Sequence, residues 1–187
     1  MRLLAVSGSL RRDSHNTRLL RAAAQQLPPG VELEIYDGLK RIPPFDEDDE
    51  AMVASEVLRW REAIDAADAV LFATPEYNSS IPGQLKNAVD WASRPASDIP
   101  LVFGDLPVAL IGAGGGAGTR VAQNAWLPVF RFLRMRPWFG QSLYVDRAHE
   151  RFDEHNRLTD EATREQLAAV VTGFAAHCAE LPRVRAS

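Results

Sequence analysis

The sequence predicts a three-layer α/β/α sandwich built on a five-stranded parallel sheet. Three observations carry that prediction. Apolar runs of strand length alternate with segments of helical period along all 187 residues. The alternation takes the order βαβαβαβαβα. The loops after the first and third strands are dense in serine, glycine, proline and asparagine. Right-handed crossovers place the helices of repeated βα units on both faces of a parallel sheet. Five such strands match the order 2-1-3-4-5, in which ligands bind at the carboxyl ends of the strands where the order reverses.

The elements follow in turn. Leu3 to Val6 reads as a buried strand, and about Asn16 to Leu27 as a helix ended by Pro28-Pro29-Gly30. Val31, Leu33 and Ile35 alternate with Glu32, Glu34 and Tyr36, a period of two that marks a strand with one exposed face. Arg41 to Glu50 reads as loop. Val53, Val57, Trp60 and Ile64 then recur at helical spacing and give a helix with one buried face. Ala69 to Ala73 is a strand, Gly83 to Ser93 a helix, and a polar loop runs on to Leu106. Pro107 to Ile111 is the fourth strand and about Thr119 to Leu133 a helix; a short apolar segment near Leu143 to Val145 stands as the fifth strand. The last helix, about Asp160 to Leu181, carries Leu167, Val170, Phe174, Cys178 and Leu181 at spacings of three and four. No internal repeat or linker interrupts this order, so residues 1–187 are expected to form a single domain.

Composition narrows the class of function. Hydrophobic residues make up 46% and charged residues 25%, ordinary for a globular protein. A formal net charge of −4 argues against a nucleic-acid partner, which calls for a basic face. A lone cysteine, Cys178, excludes an intramolecular disulfide and suits a reducing compartment. The apolar start, Met1 to Val6, is too short for a signal peptide, and no run approaches the roughly 20 apolar residues of a membrane span. A cytoplasmic protein with no membrane partner is expected.

Two loops carry the chemistry. Ser7-Gly8-Ser9-Leu10-Arg11-Arg12-Asp13-Ser14-His15-Asn16-Thr17 joins the first strand to the first helix. A phosphate there meets the unpaired N–H groups and positive dipole end of the helix. It also meets the hydroxyls of Ser7, Ser9, Ser14 and Thr17 and a guanidinium from Arg11 or Arg12. An equally simple use of Ser14 is to cap the helix. Gly-Lys-Ser/Thr is absent, so this is not a P-loop. After the third strand comes Thr74-Pro75-Glu76-Tyr77-Asn78-Ser79-Ser80-Ile81-Pro82-Gly83. Pro75 stiffens the loop. Tyr77 offers a flat apolar face with a polar tip. Asn78 both donates and accepts, which suits the N–H and C=O edge of a flavin pyrimidine ring. The competing reading is a simple turn into the helix, with Ser80 as cap and Pro82 at its first position. Glu76 serves the ligand, or else is a surface or helix-orienting carboxylate.

Gly112-Ala113-Gly114-Gly115-Gly116-Ala117 matches the dinucleotide pattern G-x-G-x-x-G/A but lies in the fourth βα unit, outside its usual context. A loop whose glycines let the backbone approach a planar ring, through Gly114 and Gly115, is the reading adopted; a loop without ligand contact is the alternative.

These blocks resemble the NADPH-dependent FMN reductase family, which includes bacterial quinone and chromate reductases. The likeness rests on Gly8-Ser9-Leu10-Arg11 with Ser14 and Asn16, and on Thr74 to Asn78 with Ile81-Pro82-Gly83 and Leu85-Lys86-Asn87-Ala88-Val89-Asp90-Trp91. It implies a flavodoxin-like fold, non-covalent FMN, and NAD(P)H as co-substrate, with electrons passed to a quinone or similar small acceptor. By that resemblance the phosphate contacts fall on Ser9, Arg11, Ser14, Asn16 and Thr17, and the ring contacts on Pro75, Glu76, Tyr77 and Asn78. The rival, a flavodoxin-type electron carrier without its own NAD(P)H oxidation, calls for a stronger acidic bias. No side chain is assigned as catalytic acid or base.

His149, Glu150 and His155 show no metal-ligand spacing and read as surface residues, so no metal is expected. The acidic run Asp46 to Glu50 lacks the EF-hand pattern and reads as a solvated loop and helix start. Trp126 to Leu133, with Pro128 inside, is apolar on more than one side, which points to a homodimer or homotetramer interface.

Overall fold

The structure, a computed structural model, describes residues 1–185. Strands β1 (Arg2–Ser7), β2 (Glu32–Ile35), β3 (Ala69–Ala73), β4 (Pro107–Ala113), β5 (Arg136–Pro137) and β6 (Leu143–Val145) form one sheet. Helices α1 (His15–Ala24), α2 (Ser55–Ala66), α3 (Gly83–Ala92), α4 (Ile99–Val102), α5 (Arg120–Phe132) and α6 (Glu161–Glu180) cover it. The order is β2-β1-β3-β4, all parallel, and the fifth position is shared by β5 and β6, both parallel to β4. This is the flavodoxin-like order 2-1-3-4-5, with its last strand in two pieces. Pro137 ends the first piece because it has no N–H for the ladder. The chain then swings out so that the Trp138 indole packs on Phe174, with ring centroids 5.7 Å apart.

The two faces of the sheet differ in side-chain size. Ala5, Ala69, Leu71, Ala73, Ala109, Ile111 and Ala113 face α1 and α6, where Leu19, Leu20, Leu167, Val170 and Phe174 are buried. Leu4, Val6, Val70, Phe72 and Val108 face α2, α3 and α5, where Val57, Trp60, Leu85, Trp126 and Phe130 fill the second core. At the edge, β2 leaves Glu32 and Glu34 exposed, as its period of two requires.

Several boundaries move. α1 stops at Ala24 instead of Leu27. The polar loop before Leu106 contains the short α4. The acidic run forms a short 3-10 helix, Glu47–Met52, capped by Asp46, and Glu50 pairs with Arg94 at 3.1 Å. The Trp126 to Leu133 segment splits: Trp126, Phe130 and Leu133 enter the core, while Phe132 is 73% exposed beside exposed Pro128. Cys178 is buried, and burial pushes its thiol up to about 11. Among the described residues no helix is long and apolar enough to cross a membrane.

Candidate functional site

Three loops meet at the carboxyl edge of the sheet because backbone pairing continues past the strands. Gly8 donates its N–H to Ala73 O at 2.9 Å, Thr74 to Ile111 O at 2.9 Å, and Gly114 to Val145 O at 2.9 Å. Gly8 makes this convergence possible. A Cβ there would lie 2.8 Å from Pro82 Cγ and 2.9 Å from Pro75 Cδ, so any side chain would force the prolines off β1. Between the loops lies a cleft of about 310 Å³, lined by Ser9, Arg11 and Ser14 from the first loop, Pro75, Glu76 and Tyr77 from the second, and Gly114 and Gly115 from the third. Its volume lies at the small end of the range for cofactor sites. A larger cleft, about 550 Å³, opens at the opposite edge between Pro28, Gly30, Asp68, Cys178 and Arg183. It lies away from the switch point of the strand order, so the smaller cleft is the functional candidate.

At one end of this cleft Ser14 is the N-cap of α1. Its Oγ accepts the Thr17 N–H at 3.3 Å, and its carbonyl accepts from Arg18 at 3.0 Å. Capping and ligand binding are compatible here, since the Ser14 O–H remains free to donate. The N–H groups of His15 and Asn16 open the helix with no intrahelical acceptor, as helix geometry dictates. Ser9 Oγ accepts a long bond from the Arg11 N–H and another from the Tyr77 hydroxyl, each 3.4 Å. The Arg11 side chain is exposed at the mouth.

Asn16 is used differently from the loop's other polar residues. Its side chain is buried, donating from Nδ2 to Ala113 O at 2.9 Å and accepting the Ala113 N–H on Oδ1 at 3.0 Å. The amide therefore ties the first turn of α1 to the end of β4, and only the Asn16 backbone N–H is left for a ligand.

At the other end Pro75 is buried and Tyr77 is half-exposed. Tyr77 and Ser80 exchange backbone hydrogen bonds of 3.2 and 3.0 Å around Asn78 and Ser79, whose φ angles are +51° and +56°. Two successive positive φ values define a type I′ turn, which asparagine tolerates through its short polar side chain. Ser80 thus closes a turn and does not cap α3; Pro82 takes the N-cap position and makes no side-chain cap bond. Glu76 Oε2 accepts the N–H groups of Val121 at 3.0 Å and Ala122 at 3.1 Å. Its carboxylate caps α5, whose own N-cap residue, Thr119, makes no side-chain cap bond.

In the glycine-rich loop, Gly112 is spent on packing. A Cβ there would overlap Thr119 Oγ1 and lie 2.5 Å from Thr74 O. Gly114 and Gly115 use their carbonyls to hold Ala148 and Arg147 N–H groups, each at 2.9 Å. Space beside Gly115 and Gly116 is open, so a planar ligand can approach their backbone. Two residues the motifs did not mark also line the cleft, His15 and His149. His15 occupies the first helical position, stacks on Phe152 at 5.7 Å, and has a buried Nδ1 with no hydrogen-bond partner. Burial first, then the charges of Arg18, Arg11 and His149, hold its pKa below the ordinary histidine value. Among the described residues no cluster of histidine, cysteine, aspartate and glutamate could hold a metal ion.

An open parallel sheet that gathers a helix N-terminus, basic side chains and a stiff aromatic loop at its reversal point defines a flavodoxin-like binding protein. The chain matches the model of the NADPH-dependent FMN reductase family over residues 1–150, and it belongs to that family. It is 42% identical over 169 residues to an NAD(P)H-dependent FMN reductase of Pseudomonas aeruginosa, covering 89% of each chain. Identity to an NADPH:quinone oxidoreductase of Arabidopsis thaliana is 38% over 185 residues, covering 94% of this chain and 91% of the relative. FerB, a flavoenzyme NAD(P)H:(acceptor) oxidoreductase from Paracoccus denitrificans, has a TM-score of 0.85 at 28% identity, covering 97% of this chain and 98% of FerB.

The residues present fit FMN. Free N–H groups, Arg11 and the unpartnered His15 suit a dianionic phosphate, and the Tyr77 and Gly115 surfaces suit a flat ring.

Proposed function

We propose that this protein is an NAD(P)H-dependent FMN oxidoreductase that passes electrons to quinones or other small acceptors. The observation that carries the reading is the meeting of the loop from Ser9 to Asn16, the residues Pro75, Glu76 and Tyr77, and the Gly114–Gly115 backbone on one cleft; Thr17 and Asn78 flank it. Ser9, Arg11, Ser14, Thr17 and the N–H groups of His15 and Asn16 hold the phosphate. Pro75, Tyr77 and Asn78 position the ring from one side, and Gly114 and Gly115 leave room beside it. Glu76 contributes by holding this loop to α5, and it lines the same cleft. Bound FMN supplies the redox chemistry, two electrons in from NAD(P)H and two out to the acceptor. The protein orients it and excludes water.

Residues 1–187 act as one FMN-binding domain, and the protein works in the cytoplasm. The exposed Phe132, next to Pro128 and half-buried Leu127, supports assembly as a homodimer or homotetramer.

Anaerobic stopped-flow absorbance of the FMN-loaded protein mixed with NADPH, and separately with NADH, tests the reading. Rapid bleaching of the flavin band by either nucleotide is expected. Retained flavin that neither nucleotide reduces would favour an electron carrier instead.

A further inference from the structure

His15 sits where no capping or packing rule requires an ionisable side chain. It is the first residue of α1, between the cap Ser14 and the bridging Asn16, and it lines the cleft. One face of its ring stacks on Phe152, and its Nδ1 is shielded from solvent without a partner. The groups around it are almost all cationic. Arg18 faces it from α1, Arg11 from the preceding loop, and His149 from the turn after β6. The nearby acids are already engaged. Asp13 lies 4.0 Å from Arg18, Glu150 is shared by Arg147 and His149, and Asp146 and Asp160 are held by Arg151. The glycine loop on the far side brings no charge. In the free protein this setting disfavours the imidazolium.

A phosphate at the N-terminus of α1 reverses that balance, because it places about two negative charges beside the same ring. Resting on the FMN reading above, we infer that His15 takes up a proton from solvent when the flavin phosphate binds, so that cofactor affinity is coupled to pH through this side chain. The neutral ring has one N–H and one lone pair; the added proton makes both nitrogens donors, and the unpartnered Nδ1 gains a use. Arg11 and the helix N–H groups supply charge that does not vary with pH, while His15 supplies charge that does.

The sign follows from the direction of the change. Binding raises the His15 pKa, so the extra affinity is complete below the free-state value and fades as pH rises through the bound-state value. Protonation of the phosphate, near pH 6, acts the other way and is common to every variant.

Calorimetric titration of flavin-free, full-length protein with FMN tests this in two buffers of different ionisation enthalpy between about pH 7 and about pH 8, the window in which a histidine raised above its ordinary value titrates. Wild type is expected to take up a proton, and its Kd to rise by about threefold or more per pH unit against a ceiling of about tenfold for one proton. His15→Gln should remove most of that uptake and flatten the pH dependence, while His155→Gln, at an exposed position outside the cleft, keeps both. Riboflavin, which has no phosphate, should bind without proton uptake. FMN binding by wild type with no buffer-dependent heat, or His15→Gln with undiminished uptake, overturns the inference and leaves the FMN reading standing. Failure of wild type to bind FMN at any pH overturns that reading as well.

Discussion

Replacing Asn16 separates its two conceivable uses, ligand and bridge. Its Nδ2 donates to Ala113 O and its Oδ1 accepts from Ala113 N–H, at 2.9 and 3.0 Å, with both residues buried. Asn16→Ala leaves a buried N–H and a buried C=O unpaired, each worth about 1–3 kcal/mol, so a loss of about 2–6 kcal/mol is expected. Asn16→Asp is sharper because it changes a single group. A carboxylate still accepts from Ala113 N–H but now sets a negative oxygen against Ala113 O. A protonated carboxyl restores both bonds. Its folded pKa must therefore lie above the ordinary aspartate value near 3.9. A raised folded pKa contributes stability below the unfolded value that is lost as pH rises. The Asn16→Asp deficit should thus be large at pH 8 and shrink steadily toward pH 5. Urea unfolding of wild type and both variants at saturating FMN, at pH 8 and at pH 5, measures it. An Asn16→Ala loss under about 0.5 kcal/mol, or an Asn16→Asp deficit equal at both pH values, would refute the bridge.

The remaining predictions concern single contacts. Gly112→Ala should cost about 3 kcal/mol or more by forcing its methyl into Thr119 and Thr74, whereas Gly115→Ala, with open space, should stay within about 0.5 kcal/mol in the same unfolding assay. Glu76→Ala should lose about 0.5–2 kcal/mol through the uncapped α5, and Glu76→Gln should recover part of it; a stability unchanged in Glu76→Ala would remove the capping role. Cys178 should resist iodoacetamide at pH 8 in the native protein and react on unfolding, because burial holds it as the thiol; mass spectrometry of the folded protein reads this directly.

The sheet was legible because its strands are buried on both faces and read as unbroken apolar runs, as in Ala69 to Ala73. The second half of the fifth strand was legible at Leu143 to Val145. Its first half was not, since Arg136 and Pro137 have no strand propensity and are held only by pairing with β4. The loops were located correctly, yet the division of labour within them was hidden. The partner of Asn16 lies 97 residues away, and the N–H donors to Glu76 lie 45 and 46 residues away, so no local spacing reports them. The tight turn at Asn78-Ser79 was not legible, because a proline-flanked polar stretch suits a ring-binding loop and a simple turn into a helix equally well. His15 escaped notice for a related reason: a single histidine between a cap and a helix has no period.

The run of alanines on one side of the sheet has a consequence at a distance. α1 and α6 share a sheet face that carries Ala5, Ala69, Ala73, Ala109 and Ala113 among Leu3, Leu71 and Ile111, while the opposite helices rest on Val6, Val70, Phe72 and Val108. How closely that helical layer lies to the sheet therefore depends on methyl-sized side chains in the core. That height also sets the span between the helix N–H groups and the Tyr77 loop, the two ends of the proposed binding cleft. Widening the layer by an alanine-to-valine change would lengthen that span without altering any residue of the cleft. The reach of the binding site is in this sense written in the thickness of the floor beneath it.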